Sequence, residues 1–312
     1  MKLATRINSF LSVYDNDLKN VFGEFKKLGL GYIDLNYPEH IEKFKAPEMK
    51  ALIQENDLKL NGVALRFRSE FINGELGNSD PKISANALKL CKDAADYCRE
   101  AGGKVVTIWL GFDGFDYSFQ INYKKVWEQL RNAFTEIADY APDLKISIEY
   151  KPFQPRAYAF IDSMGLTGMM LNDINRDNVG VTLDYCHMLM KHENPAFGAD
   201  IFGSQGKLYG VHLNDGYGLN DDGLMIGSAT PFKTLEFLYY VKKHNYDGVI
   251  YFDTFPIIEH AAKECEQNIR MITALNAMID NVGLAYIQTI IDKNDAVEAN
   301  KLMLQFLTSS NS

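Results

Sequence analysis

Short apolar runs rich in β-branched residues alternate with longer amphipathic stretches from the first ten residues almost to the end, and few architectures tolerate that alternation. The predicted strands are Leu3–Ile7, Gly31–Leu35, Leu58–Phe67, Lys104–Gly111, Lys145–Glu149, Val179–Asp184, Leu208–Leu213 and Gly248–Phe252. Helices are predicted at Asp17–Leu28, Ile41–Glu55, Ser84–Ala101, Tyr123–Tyr140, Phe160–Asn175, Phe232–His244 and Ile258–Ile279, with a weaker one at Ala196–Ser204. Ser79-Asp80-Pro81 reads as a helix start, and Gly29, Gly102, Gly103 and Gly248 stand where helices stop or strands begin. Near-continuous apolar strands, each followed by a helix, predict a parallel sheet covered by helices, and eight such units predict a closed (β/α)8 barrel. An open doubly wound sheet would want a glycine-rich phosphate turn after the first strand, and TRINSFLSVYDN contains none.

No linker or composition shift interrupts the repeats, so residues 1–282 are expected to form one barrel and 283–312 a C-terminal helical extension. Two apolar-faced stretches in that tail, Leu284, Ile287, Ile290 and Ile291, then Leu302, Met303, Phe306 and Leu307, need a surface to cover them. Either the chain's own barrel or a neighbouring subunit can serve, which makes a homo-oligomer, a dimer or tetramer, an expectation. A net charge of -9 disfavours a nucleic-acid partner. The four cysteines form no CxxC pair, no stretch is apolar enough to span a bilayer, and MKLATRINSF lacks a signal-peptide pattern; the expectation is a cytoplasmic protein with no membrane partner.

In a barrel of this kind the working residues project from the C-terminal ends of the strands. Here those ends are polar on four consecutive strands: Glu149 on the fifth, Asp184 on the sixth, His212 on the seventh and Asp253 on the eighth. Three carboxylates converging in one mouth repel one another, and either raised pKa values or a bound divalent cation must relieve the conflict. Oxygen ligands with one imidazole suit Mn²⁺, Mg²⁺ or Co²⁺, with Mn²⁺ foremost. His187, Asp221 and Asp222 lie close by in sequence and offer a second ion a place, although NDDG is also a strong turn sequence.

Ile148-Glu149-Tyr150-Lys151-Pro152-Phe153-Gln154-Pro155 resembles the strand-five signature of the xylose isomerase-like TIM barrels, the sugar isomerases and epimerases, and among them is most similar to L-rhamnose isomerase. Ile108–Gly114, Val211–Gly227 (VHLNDGYGLNDDGLMIG) and Tyr251–Pro256 resemble the same family's strand-four, strand-seven and strand-eight ends, in the right order. The resemblance implies a metal-dependent aldose–ketose isomerase of carbohydrate metabolism that moves hydrogen between C1 and C2 of an open-chain sugar. It implies that Glu149, Asp184, His212 and Asp253 hold a structural metal, and that His187 with Asp222, and Asp221 as a further candidate, holds a catalytic one. Lys151 would bond the carbonyl oxygen and Trp109 would line the sugar's apolar side.

Two departures stand out. The family usually places a histidine after strand three, where this chain has Leu65-Arg66-Phe67-Arg68; Arg66 or Arg68 meets either an acidic or phosphorylated group of the substrate or a strand-end carboxylate. Asn220 stands near the position of an expected acidic ligand. The rival reading is a ketose 3-epimerase, which uses two glutamates as acid and base, whereas strand eight here ends in Asp253 and Lys151 has no role in epimerisation.

Overall fold

The computed structural model describes residues 1–308. Eight parallel strands form the sheet: β1 (Lys2–Thr5), β2 (Tyr32–Tyr37), β3 (Lys59–Leu65), β4 (Val105–Trp109), β5 (Lys145–Glu149), β6 (Val179–Asp184), β7 (Leu208–Leu213) and β8 (Val249–Phe252). The hydrogen-bonded ladder runs from β1 through β8, β7 and onward in descending order to β2. There β1 and β2 lie against each other, which nearly closes the ring into the predicted (β/α)8 barrel.

Helices α1 (Leu18–Lys27), α2 (Ala46–Glu55), α3 (Pro81–Ala101), α4 (Tyr123–Tyr140), α5 (Met164–Ile174), α6 (Pro195–Ser204), α7 (Pro231–Lys243) and α8 (Ala261–Val282) cover the outside. In α3 the carboxylate of Asp80 accepts from Lys82 N–H and starts the helix, while Gly102, at φ 92°, ends it. Its buried stripe is small, Ala87, Cys91, Ala94, Ala95 and Cys98, so the helix lies close on the strands.

The predicted helices at Ile41, Phe160 and Ile258 begin later than expected, at Ala46, Met164 and Ala261. In the last two, Ser163 and His260 offer side-chain acceptors to the helix's first N–H groups, which sets the true start. The weak prediction at Ala196–Ser204 is a full helix capped by Asn194.

The tail forms α9 (Leu284–Ile291) and α10 (Ala296–Thr308). Ile287, Ile290 and Phe306 are buried, with Ile287 and Phe306 joined to the chain's main core, and Tyr239 Oη donates to Gln288 Oε1 at 2.9 Å. One face of the tail therefore packs on its own barrel, while Ile291, Val297, Leu304 and Leu307 stay exposed. Residues 309–312 of the expected extension lie outside the described residues.

Strand register depends on close backbone approach at Gly62, which pairs with Val105 across β3 and β4. A Cβ at Gly62 would sit 2.0 Å from the Val105 carbonyl oxygen, an atom held by the sheet. Gly62→Ala is expected to cost about 3 kcal/mol in urea unfolding, as overpacking of an unyielding site does; a loss under about 0.5 kcal/mol would show that the strands can separate there.

Candidate active site at the barrel mouth

Register puts the polar strand ends at one level: Trp109 pairs with Glu149 across β4 and β5, and Asp184 with His212 across β6 and β7. Ligand atoms of Glu149, Asp184, His212 and Asp253 all lie within 4.8 Å of one another, and all four residues are buried. A second group, Asp184, His187 and Asp221, meets the same criterion and shares Asp184 with the first.

His187 reaches this group through a short helix, Tyr185–Met190, absent from the sequence-based prediction. Asp184 caps it: its Oδ1 accepts from His187 N–H at 3.0 Å, so one carboxylate both starts the turn and faces the site. His187 Nδ1 lies 2.9 Å from the Tyr150 carbonyl oxygen, which can only accept, so this nitrogen carries the proton. When the ring is neutral, its Nε2 lone pair points into the second group, 3.3 Å from Asp221 Oδ2.

The loop after β7 is held from inside. Asp215, fully buried, accepts from the N–H groups of Gly216, Ala229 and Thr230 and from the Thr230 hydroxyl. Cys186 Sγ accepts from Asp222 N–H and donates to Asn220 O. This path turns Asp221 inward. Asp222 turns back onto its own loop, where Oδ2 accepts from Tyr217 N–H at 2.8 Å. Of the two acidic candidates, Asp221 joins the second group and Asp222 does not, and Asn220 lies at the surface within 3.3 Å of Gln154 Nε2.

Lys151 Nζ is 2.9 Å from Asp221 Oδ2 and lies over the Trp109 ring, 5.6 Å from its centroid. Arg66 lies over the same indole at 5.7 Å, so Trp109 carries a cation from each neighbouring strand. Arg68 is at the surface, 3.8 Å from Glu42.

Three residues passed over in the sequence also belong here. Asn214 Nδ2 lies 3.4 Å from both Asp184 carboxylate oxygens and donates to Asp253 O at 3.1 Å. Arg6 Nη1 lies 3.5 Å from Asp253 Oδ1. Asn36 Oδ1 accepts from Arg66 Nε at 3.3 Å. The position of Asn36 and Arg6 at the ends of β2 and β1 was the signal that could have found them.

Electrostatics show what the side chains alone must bear. Burial, with repulsion from Asp221, Asp253 and Glu149, outweighs the attraction of His187 and lifts Asp184 to about 7. Burial opposes charge on His187 and His212, yet the carboxylates beside them hold both rings up at about 9. Burial would also raise Glu149, but His212, His187 and Arg66 prevail and bring it to about 2. Asp221 is likewise held well below the usual carboxylate range, by His187 and Lys151 against burial.

Each group also contains one buried carboxylate oxygen without a hydrogen-bond partner among the described residues, Asp253 Oδ1 in the first and Asp221 Oδ1 in the second. Oxygens left unsatisfied in this way, beside an imidazole, fit a divalent cation.

Residues 22–275 match the family described as the xylose isomerase-like TIM barrel. Xylose isomerase of Thermus thermophilus is 25% identical over 212 residues, 65% of this chain and 55% of that protein, so the chain spans about half the length of the curated relatives it matches. Xylose isomerase of Thermus caldophilus is similar at 24% over 213 residues, again 65% of this chain and 55% of that protein.

Among solved structures, D-allulose 3-epimerase from Methylomonas sp. superposes with a TM-score of 0.69 at 20% identity, covering 82% of this chain and 91% of that one. D-psicose 3-epimerase from Clostridium cellulolyticum H10 gives 0.68 at 18%, covering 93% and 98%. These matches support the superfamily and not a particular closeness to L-rhamnose isomerase.

Because His187 and His212 are held near 9 by their carboxylate neighbours, both are protonated at pH 7 and must lose that proton to ligate. Binding of a divalent ion such as Mn²⁺ is expected to release about two protons per chain from the histidines at pH 7 when both groups fill, with about half of one more from Asp184, and to weaken as pH falls from 9 to 6. Calorimetry in buffers of different ionisation enthalpy reads the release directly; binding without proton release would exclude both histidines as ligands.

Proposed function

The chain belongs to the xylose isomerase-like TIM barrel family, and on that premise we propose that it is a metal-dependent aldose–ketose isomerase moving hydrogen between C1 and C2 of an open-chain sugar. The observation that carries this reading is the convergence of Glu149, Asp184, His212 and Asp253 within 4.8 Å, with Lys151 held on Asp221 of the adjoining group. Those four residues would hold one ion, and His187, Asp221 and the shared Asp184 a second. Mn²⁺ is the proposed ion, with Mg²⁺ or Co²⁺ as alternatives. When bound, such a cation supplies Lewis-acid polarisation of adjacent sugar oxygens.

The chain's own groups do the rest. Hydrogen transfer between C1 and C2 builds negative charge on the carbonyl oxygen, and an ammonium placed there lowers the barrier. Lys151 is that donor, steered by Asp221 at 2.9 Å and by the Trp109 ring. The indole covers the apolar side of the sugar and keeps water from the reacting carbons. Asn214, bonded to Asp253 O and close to Asp184, keeps those two strand ends in place.

A ketose 3-epimerase is the second reading, supported by the epimerases that share the fold. Glu149 and Asp253 would then act as acid and base at C3. Lys151, with no task in that chemistry, favours the isomerase. The exact sugar is open, and the similarity of Ile148–Pro155 to L-rhamnose isomerase places 6-deoxyhexoses among those to try. Four free, buried cysteines accord with a reducing compartment, the cytoplasm in this reading. Among the described residues no helix is long and apolar enough to cross a membrane. The exposed apolar side of α9 and α10 is the proposed contact of a homo-oligomer.

Incubating the manganese-loaded protein with aldoses and ketoses in D₂O and following each carbon by NMR separates the readings. An isomerase interconverts aldose and 2-ketose and leaves C3 untouched; inversion or exchange at C3 alone would establish the epimerase. Lys151→Met is expected to lower kcat on the order of 10²- to 10³-fold, as loss of one charge-stabilising donor does. Full turnover in Lys151→Met would remove the lysine from the chemistry. Glu149→Gln, which keeps the shape and loses the charge, is expected to abolish both metal retention and turnover; an active, metal-free Glu149→Gln protein would defeat the whole reading.

A further inference from the structure

Charge divides the mouth into two halves. Glu149, Asp184, Asp221 and Asp253 come from β5–β8 and their loops, while Arg6 and Arg66 enter from the ends of β1 and β3. Arg66 is positioned but not paired. Its Nε donates to Asn36 Oδ1, its guanidinium rests against Trp109, and among the described residues neither Nη has a hydrogen-bond partner and no carboxylate forms an ion pair with it. Arg6 stands over the Phe255 ring at 4.4 Å, and its nearest carboxylate oxygen, Asp253 Oδ1 at 3.5 Å, is one of those left without a hydrogen bond.

The orientation of Arg66 is built from beneath. His40, buried, takes the Asn36 N–H on Nδ1 at 2.9 Å, which leaves the ring proton on Nε2 to be donated to Asn8 Oδ1 at 2.8 Å. Asn8 Oδ1 also accepts from Asn36 Nδ2 at 3.0 Å, and Asn8 Nδ2 donates to Glu39 Oε1 at 2.7 Å. With its amide nitrogen committed to Asn8, Asn36 can only present its oxygen to Arg66. Four side chains are thus spent on aiming a guanidinium whose outer N–H groups have no hydrogen-bond partner among the described residues.

Such a group is matched poorly by sugar hydroxyls, which both donate and accept, and well by an acceptor-only anion that takes two parallel N–H bonds. Charge points the same way. With one divalent cation on the four carboxylates and both imidazoles neutral as ligands, Arg6, Arg66 and Lys151 leave the mouth one unit positive. Arg6 and Arg66 then lose the counter-charge that Asp253 and Glu149 provide.

We propose that Arg66, together with Arg6 at the end of β1, forms an anion subsite, and that the sugar this site takes carries a terminal carboxylate or phosphate at the end remote from its carbonyl. The inference rests on the isomerase reading for the placement of the carbonyl end at the carboxylate groups.

The test is calorimetric titration of the manganese-loaded protein, at fixed ionic strength, with stereoisomeric sets of hexuronates, hexose 6-phosphates and neutral aldohexoses. The tightest ligand is expected to be anionic and to bind at least tenfold more tightly than the neutral sugar of the same configuration. The uronate and phosphate arms decide between the two anions. That preference is expected to shrink as salt is raised, to vanish in Arg66→Gln and to return in part in Arg66→Lys, with circular dichroism and metal content confirming that each variant is folded.

A neutral tightest ligand, no binding by any anionic member, or a preference that survives Arg66→Gln would overturn the proposal. Turnover of neutral sugars with no anionic preference would leave the isomerase standing and remove the subsite. Anionic binding without interconversion of an aldose and its 2-ketose would do the reverse.

Discussion

Crowding of like charge in a buried mouth is the constraint around which the rest of this structure is arranged. Glu149, Asp184, Asp253 and Asp221 come so close that burial and mutual repulsion raise Asp184 to about 7, while their negative charge, against burial, draws protons onto His187 and His212. In the side chains alone that protonation is the compensation. A divalent ion would supply it better, because it would also satisfy the two carboxylate oxygens left without a hydrogen bond among the described residues.

Holding such a cluster needs a frame that does not yield. Parallel strands set the level of each side chain by ladder register, and the glycine at 62 lets β3 and β4 come together without a side chain between them. The loop after β7 has no such ladder. There the buried carboxylate of Asp215 replaces it, gathering the N–H groups of Gly216, Ala229 and Thr230 into one anchor. Four hydrogen bonds on one buried carboxylate hold the loop firmly, unlike the exposed ion pairs on the outer helices such as Lys89–Asp93, which contribute little.

The opposite half of the mouth follows another logic. From β1 to β3 the amides of Asn8 and Asn36, the neutral imidazole of His40 and the Glu39 carboxylate form a directional network that ends on Arg66. Burial, together with Arg66, Arg6 and Arg68 and against Glu39, pushes His40 down to about 4, so it stays neutral and keeps one tautomer across the physiological range. The mouth thus has two unlike halves, one of clustered carboxylates and imidazoles, the other with Arg66 free of an ion-pair partner among the described residues.

Much of this was legible in the amino-acid order alone. Strand and helix positions follow from local periodicity, and the barrel follows from their count, so Glu149, Asp184, His212 and Asp253 could be assigned to one mouth by being the last residues of their strands. His187 follows from spacing, three residues after Asp184. What local pattern could not decide is where a side chain points once it leaves a strand. Asp221 and Asp222 are adjacent and chemically identical, and only the pull of Cys186 on the loop, with Gly223 at φ 56°, sends one inward and the other back to Tyr217. Arg6 beside Asp253 and Asn36 beneath Arg66 join residues far apart in the chain, and such pairs exist only after the ring of strands has brought β1 against β8 and β2 against β3. Periodicity reports which face of its own element a residue occupies; it carries no information about the neighbour that face will meet, and in this mouth the neighbours decide the chemistry.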